Sequence, residues 1–346
     1  PHESPDFGDL QRLLDLETSV SQVGFPLAQQ CAEEILFFSR FLRKLDIGTT
    51  MKGKDEQLAE FVSRQTDVDC SSPGDDFIIT GMQKVFRLIL TDEPKIAPSY
   101  RHGPGLSCDS ARGLDKSSVP CHFYDNDLDP LHRLRYEPDT RPKGTEICLV
   151  PKDWRAKRII GKEPVWNMCR QLGLKSQLEW HSSAFVPFTD QGKQRLMLGK
   201  SFMYPIATVD LSNASDHISV SLARETIPSG WFDLLAACRT DAYNIGDQHN
   251  RTGSFALMGN GFCFPVLSLM VLSIAIASFC HTTNRELPRD LTDLKRFQNV
   301  FGIQTFGDDL VFPLVAFDNL VSDMTRAGLR VNHAKCGTGY FRETCG

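Results

Sequence analysis

Asp308 and Asp309 are adjacent carboxylates that follow Gly307 and lie between two short runs holding β-formers, Gln304-Thr305-Phe306 and Leu310-Val311-Phe312. Turn residues between such runs predict a β-hairpin with both carboxylates at its tip. Neighbouring carboxylates repel each other unless they are solvated or face a cation. A cation-facing tip and an ordinary Asp-rich turn both fit these residues. A third carboxylate, Asp210, stands where the run Ile206-Ala207-Thr208-Val209 ends. If that run is a strand beside the hairpin, Asp210 and Asp308 can face one another. Asp210, Asp308 and Asp309 would then suit two Mg²⁺ ions that keep water and phosphate ligands. Two such ions, ~3.5–4 Å apart, activate an attacking hydroxyl and stabilise a leaving pyrophosphate. The chemistry implied is phosphoryl or nucleotidyl transfer.

An anionic transition state of that kind also needs cationic donors. The segment Lys152-Asp153-Trp154-Arg155-Ala156-Lys157-Arg158-Ile159-Ile160-Gly161-Lys162-Glu163-Pro164 carries five cations. In an extended segment Arg158 and Ile160 face one way and Ile159 the other, so arginines project from an anchored strand. Arginine forks match triphosphate oxygens. A polybasic surface strand without a ligand is the other reading. Met258-Gly259-Asn260-Gly261 places an Asn between two glycines, which permit positive φ and close backbone approach. That Asn could bond a ribose hydroxyl, although Gly-Asn-Gly is also a common turn. Gly-Asp-Asp occurs a second time, at Gly74-Asp75-Asp76 in a polar loop, where a turn or a helix cap explains it. No Gly-x-x-x-x-Gly-Lys-Ser/Thr exists, so a P-loop ATPase has no support.

These residues must be positioned by a chain of 346 residues, enough for two domains or one large multi-lobed fold. Its 41% of hydrophobic residues excludes a wholly disordered or collagen-like chain. The net charge of −5 argues against a uniformly basic nucleic-acid coat. A local basic channel remains compatible with it: Arg141 to Lys200 carries 12 Lys/Arg against 5 Asp/Glu, an excess to which a solvated helix face could also contribute. The eleven cysteines include no Cys-x-x-Cys, so a zinc ribbon is unsupported and scattered thiols suit a reducing compartment. Phe262 to Cys280 holds no charged residue, close to the ~20 residues of a membrane span. It lacks a basic flank, and a buried core helix is the better reading.

Helical spacing is expected over Ala32 to Leu45, from about Thr80 to Leu90, and through Ile218, Leu222 and Ala223. Ser229 is expected to cap a helix over Gly230 to Cys238, and the apolar helix to start near Pro265. Residues 91–146, with Arg101-His102-Gly103-Pro104-Gly105 and the acidic run Tyr124 to Asp129, read as loops. Val300 to Phe306 and Leu310 to Phe312 read as strands, and Leu314 to Ala327 as a helix closed by Gly328. The order predicts an α+β layer, an antiparallel sheet backed by helices.

Taken together, the segments resemble the RNA-dependent RNA polymerases of positive-strand RNA viruses, most closely the replicase subunit of single-stranded RNA bacteriophages, the levivirus group. The resemblance is carried, in family order, by Val150-Pro151-Lys152 with Arg155, Arg158 and Lys162-Glu163-Pro164, by Thr208-Val209-Asp210-Leu211-Ser212 with Ala214-Ser215-Asp216, and by Met258-Gly259-Asn260-Gly261. Gly307-Asp308-Asp309 and Phe341-Arg342-Glu343 with Cys345-Gly346 follow, and Arg101 with Gly103-Pro104-Gly105 resembles an upstream element.

The resemblance implies a right-hand polymerase, with fingers over residues 1–200, including the basic strand 150–164, and a palm over residues 201–346. It implies that Asp210, Asp308 and Asp309 bind two Mg²⁺ ions, with Mn²⁺ able to substitute. It makes Lys152, Arg155, Arg158 and Lys162 triphosphate ligands. Asp216 and Asn260, with Ser215 and Gly259 beside them, take the ribose 2′-hydroxyl, and Lys335 takes the place of a general acid for pyrophosphate. Phe306 stands where many relatives have Tyr, which keeps the ring. Relatives continue past the Phe-Arg-Glu segment into a thumb, so the chain is expected to be a fragment with the thumb missing or truncated. The implied partners are an RNA template, a primer or nascent strand, NTPs and host translation factors, with no membrane, in the cytoplasm of an infected bacterium. Two further readings stand beside this one: a reverse-transcriptase-like polymerase, whose bulky sugar gate the polar Asp216 and Asn260 disfavour, and a non-catalytic RNA-binding palm.

Overall fold

The computed structural model describes residues 12, 15, 50–69, 76–91, 94, 103, 105–108, 144–199 and 205–338. The helix expected over Ala32 to Leu45 lies outside them. So do Gly74 and Asp75, Arg101 and Pro104, the acidic run Tyr124 to Asp129, and the terminal Phe341 to Gly346. In chain order the elements are α1 (Lys54–Asp69), α2 (Asp76–Ile89), β1 (Thr145–Val150), β2 (Arg158–Lys162), α3 (Val165–Ser182), α4 (Gly192–Gly199) and β3 (Ile206–Val209). A 3₁₀ turn (Ala214–His217) leads to α5 (Val220–Thr226), α6 (Ser229–Cys238), β4 (Ala242–Ile245), β5 (Gln248–Arg251) and α7 (Cys263–Thr282). Then follow α8 (Leu291–Phe301), β6 (Gln304–Phe306), β7 (Asp309–Pro313), a second 3₁₀ turn (Leu314–Ala316) and α9 (Phe317–Arg326).

The strands form two sheets. One is three-stranded and antiparallel, ordered β3-β7-β6, with Val209 opposite Leu310 and Phe306 opposite Asp309. This is the expected antiparallel sheet backed by helices. The other is four-stranded, ordered β2-β1-β4-β5, and mixed, because β1 runs parallel to β4. Its β4-β5 hairpin comes from beyond residue 200 and pairs with a strand from before it, so the second sheet crosses the boundary expected from the sequence.

α7 explains its own apolar composition. Phe262 to Cys280 is buried almost without interruption, as a helix apolar on every side must be in a core. It is the one helix among the described residues long and apolar enough to cross a membrane, and the protein itself covers it. α2 crosses it closely because a Cβ on Gly81 would come within 2.6 Å of the Ala277 Cβ. β6, β7 and α9 close over other parts of the same helix. A smaller cluster of Phe61, Tyr243 and Leu257, with Val62, Ile147, Ile159 and Ile245, fastens α1 to the four-stranded sheet. The seven described cysteines are free thiols.

Several local expectations shift. Helix α2 begins at Asp76, before Thr80. Ile218 is extended, and Ser219 caps α5 by accepting a bond from Leu222 N at 3.0 Å. Pro228, not Ser229, occupies the capping position of α6. α7 starts at Cys263, with Pro265 in its first turn. Val300 and Phe301 end α8 rather than starting a strand: Phe297 and Phe301 both pack on Phe279, and Gly302 at φ 70° terminates the helix.

Candidate active site

The hairpin tip is a two-residue turn of Gly307 and Asp308, with Gly307 at φ 64°. A glycine is required there twice over, since a Cβ would also strike the Phe264 ring at 2.6 Å. Gly307 N donates to Ser268 Oγ at 3.1 Å, which ties the tip to α7. One further step of the β3–β7 register sets Asp210 across from Asp309. The segment after α9 runs along the other side of β3: Asn332 N donates to Asp210 O at 2.9 Å, and Thr208 and Gly337 exchange backbone bonds.

The charges of Asp210 and Asp308 interact at this edge. The Asp210 carboxylate accepts from Asn332 Nδ2 at 3.0 Å and from Lys335 Nζ at 3.1 Å. Burial pushes the Asp308 carboxyl above the ordinary carboxylate range, and the Asp210 charge pushes it further, while Lys335 and Lys152 pull it back. Two carboxylates and two lysines therefore share one electrostatic site. Asp309 opens β7 half-buried, and its backbone carbonyl accepts from Gln194 Nε2 at 3.0 Å. Among the described residues no three acidic, histidine or cysteine side chains gather closely enough to hold a metal ion. The Asp210 charge thus acts on Asp308, while the strand register sets Asp309 across from Asp210.

The basic segment is less uniform than expected. Only Arg158–Lys162 is strand, and Pro151 to Lys157 is an irregular link. That link is anchored by buried Trp154, whose carbonyl accepts from Met51 N at 2.9 Å, and by Lys157 N donating to Gln57 Oε1 at 2.9 Å. Arg155 is ion-paired with Asp153 at 2.6 Å and Lys162 with Glu146 at 3.5 Å. Lys152 and Arg158 have no ion pair among the described residues. Lys152 reaches solvent, but crowding by protein atoms lowers its pKa, opposed by Asp153 and aided by Lys335, Arg155 and Arg158. On β2, Ile159 packs with the Phe61 cluster while Ile160 lies against Gly259, the alternation that the sequence predicts.

Asn213, at φ 48°, turns the chain from Asp210 into the 3₁₀ turn that buries Ser215 and Asp216. Burial raises the Asp216 carboxyl, and Arg64 at 3.4 Å, with a bond from Ser215, opposes the rise. Asn260 is buried, and its Oδ1 accepts from Phe262 N at 3.0 Å. Nearby, the buried Glu163 carboxylate accepts from Thr240 Oγ1; burial raises that carboxyl, and Thr240, Gln171, Thr145 and Asn260 oppose the rise. Gly259, at φ 110°, presses on Gly161, and Gly161 N donates to Met258 O at 2.8 Å. Burial pushes the thiol of Cys263, first in α7, up to about 12, with Asp216, Asp308 and Glu163 adding to the rise and Ser215 opposing it. The carboxylate-bearing parts therefore converge on the start of α7.

Sequence reasoning missed Arg64 entirely. Glu163 stands in Lys162-Glu163-Pro164 with no role expected of it, and Gln171, Thr145 and Thr240 carry no signal, because their contacts join residues far apart in the chain.

A family model described as RNA replicase, beta-chain, matches residues 136–346. The RNA-directed RNA polymerase subunit beta of Qbeta virus (strain MX1) is 33% identical over 209 residues, covering 58% of this chain and 33% of that protein. The RNA-directed RNA polymerase beta chain of Escherichia phage MS2 is 29% identical over 221 residues, covering 62% of this chain and 38% of that one. The matches thus span little more than a third of the length of these curated relatives. The RNA-dependent RNA polymerase of a human picorbirnavirus superimposes with a TM-score of 0.55 at 12% identity, over 94% of this chain and 66% of that one, a likeness of fold. With the family match covering more than half of its length, the chain belongs to the RNA replicase beta-chain family.

Proposed function

We propose that this chain carries out template-directed RNA synthesis, joining NTPs to an RNA 3′-hydroxyl. The observation that supports this most is the electrostatic interaction of Asp210 with Asp308 at one sheet edge, with Lys335 ion-paired to Asp210 and Lys152 acting on the same carboxyl as Asp210 does. In this reading the β3-β7-β6 sheet with α7 is the palm, and the four-stranded sheet with β2 belongs to the fingers.

The donor chemistry fits a hard divalent cation. Two carboxylates raise each other's energy when left facing, and oxygen ligands are those Mg²⁺ takes. Asp210 and Asp308, with Asp309 adjacent, would hold Mg²⁺ or Mn²⁺. When bound, the cation supplies Lewis-acid stabilisation to the attacking and leaving oxygens.

The remaining roles fall to side chains. Lys152 and Arg158, lacking ion pairs among the described residues, take the triphosphate. Arg155 and Lys162 shape that strand through Asp153 and Glu146 and join it when those pairs loosen. Lys335 carries a proton on Nζ that can pass to the leaving pyrophosphate. Asp216 and Asn260 read the ribose 2′-hydroxyl, with Ser215 and Gly259 setting the turn and loop that present them. The Asn260 amide N–H groups serve that purpose, its Oδ1 being taken by Phe262 N. Template and nascent RNA lie against the basic strand through phosphates and 2′-hydroxyls. The Qbeta relative is described as a polymerase subunit beta, so we place the action in the cytoplasm of an infected bacterium with host translation factors as further subunits.

The test is single-nucleotide addition to a labelled RNA hairpin with Mg²⁺, followed as pyrophosphate release. Templated addition that Asp210→Asn reduces by at least ~10²–10³-fold supports the reading. Equal rates in the two chains would refute it.

A further inference from the structure

Two consecutive residues of α1 hold the turn that carries Asp216, and they hold different parts of it. Gln65 fixes the backbone: its Oε1 accepts from Gly253 N at 3.1 Å and Ser254 N at 3.0 Å, and Ser254 Oγ donates to Asp216 O at 2.6 Å. Arg64 meets the side chain, with Nη2 3.4 Å from Asp216 Oδ2 and both side chains largely shielded from solvent. Phe61, one turn earlier, sits in the small apolar cluster and lies 5.9 Å under the Arg64 guanidinium. α1 lies outside the family-matched residues 136–346.

We propose that Arg64 is a positioning residue for sugar selection, its guanidinium orienting the Asp216 carboxylate toward a ribose 2′-hydroxyl. The proposal rests on the assignment of Asp216 to the sugar made above. At 3.4 Å the pair is longer than the ~2.7–2.9 Å of a tight charge-assisted bond, so it aims the carboxylate without saturating it. An ionised carboxylate has about four acceptor sites, of which the Arg64 bond takes one. Arg64 Nε is buried without a hydrogen-bond partner among the described residues, so the guanidinium is oriented toward Asp216 rather than divided among other acceptors. The other charged or titratable groups around this turn are Asp67 on α1, His217 beside Asp216, Arg330 after α9 and Cys263 on α7. None of them is ion-paired with Asp216 among the described residues.

The experiment is a double-mutant cycle read as nucleotide binding, which needs no turnover. ATP and dATP are titrated calorimetrically into the 346-residue chain, Arg64→Met, Asp216→Ala and the double variant. The expected result is a preference for ATP that falls about tenfold in Arg64→Met. In the Asp216→Ala background the same change should have no further effect. Arg64→Lys, which keeps the cation, should retain most of the preference and serves if Arg64→Met folds poorly. An unchanged ratio in Arg64→Met overturns the proposal. So does a loss of the same size with Asp216 already removed, because that is what a purely structural role gives. A chain that selects ATP through Arg64 yet extends no RNA would overturn the polymerase reading alone, and a parent without preference would overturn the role of Asp216 and this proposal with it.

Discussion

Lys335 Nζ lies 3.1 Å from Asp210 Oδ2, and the charges of both residues act on the Asp308 carboxyl in opposite directions. The lysine is a built-in counter-ion for a pair of carboxylates that would otherwise repel. Removing it should therefore expose that repulsion, and a divalent cation should relieve it. Lys335→Met is expected to melt at a lower temperature than the parent, by an amount corresponding to about 1 kcal/mol for a partly exposed pair. Millimolar Mg²⁺ should recover more stability in the variant than in the parent. Thermal melts with and without Mg²⁺ check this, and an equal Mg²⁺ response in both chains would argue against a shared site.

Asp308 carries a raised carboxyl, so its folded form prefers the proton more than the unfolded chain does. Stability from that preference is full below the ordinary carboxylate range, near ~4, and is lost as pH rises through the higher folded value. Asp308→Asn removes the charge and its repulsion. The variant should melt above the parent at pH 7, by roughly 2–4 °C for each kcal/mol relieved. The gain should disappear in acid, where the parent's Asp308 is already neutral, and a gain independent of pH would place its cause elsewhere.

His217 gives the opposite slope. Burial, Arg330 and Arg64 depress its imidazole to about 4, with Asp67 opposing, and its Nε2 is buried without a partner among the described residues. The unfolded chain then binds more protons between the ordinary value near ~6.5 and the folded one, so acid removes stability across that window. His217→Gln cannot take the proton. Its melting temperature should fall less steeply than the parent's as pH drops from 6.5 to 4, a comparison that differential scanning fluorimetry makes directly.

Gly307→Ala tests the turn. An alanine at φ 64° costs about 1–2 kcal/mol, and its Cβ must also displace the Phe264 ring. The variant should lose stability and nucleotide addition together, because the same residue aims Asp308. Ala at Gly246, which has φ 58° but open space around it, should cost only the backbone part and serves as the reference.

How much of this was legible in sequence follows from where each signal lies. The strand ending at Asp210 and the hairpin at Gly307-Asp308 were readable, because apolar runs stop abruptly at polar turn residues. Val300-Phe301 misled because an apolar pair can serve a helix face as well as a strand, and Gly302 was the overlooked stop. The four-stranded sheet was not read. β5 is a run of Gln248 to Arg251 with no apolar residue, and β1 finds β4 across about a hundred residues in a parallel pairing that leaves no local mark. Asp216 was picked out, but not Arg64, which stands 152 positions earlier. A salt-bridge partner has no periodicity to betray it. The basic strand was found by charge alone, and charge did not tell Arg155 and Lys162, already paired, from Lys152 and Arg158.

The most direct test is extension of an annealed RNA primer–template by the 346-residue chain with Mg²⁺, NTPs and dNTPs in parallel and Asp308→Asn as control. The account predicts templated extension with NTPs, little with dNTPs, and none above background in the control. Extension that survives Asp308→Asn, or RNA and NTP binding with no transfer in the parent, would contradict it.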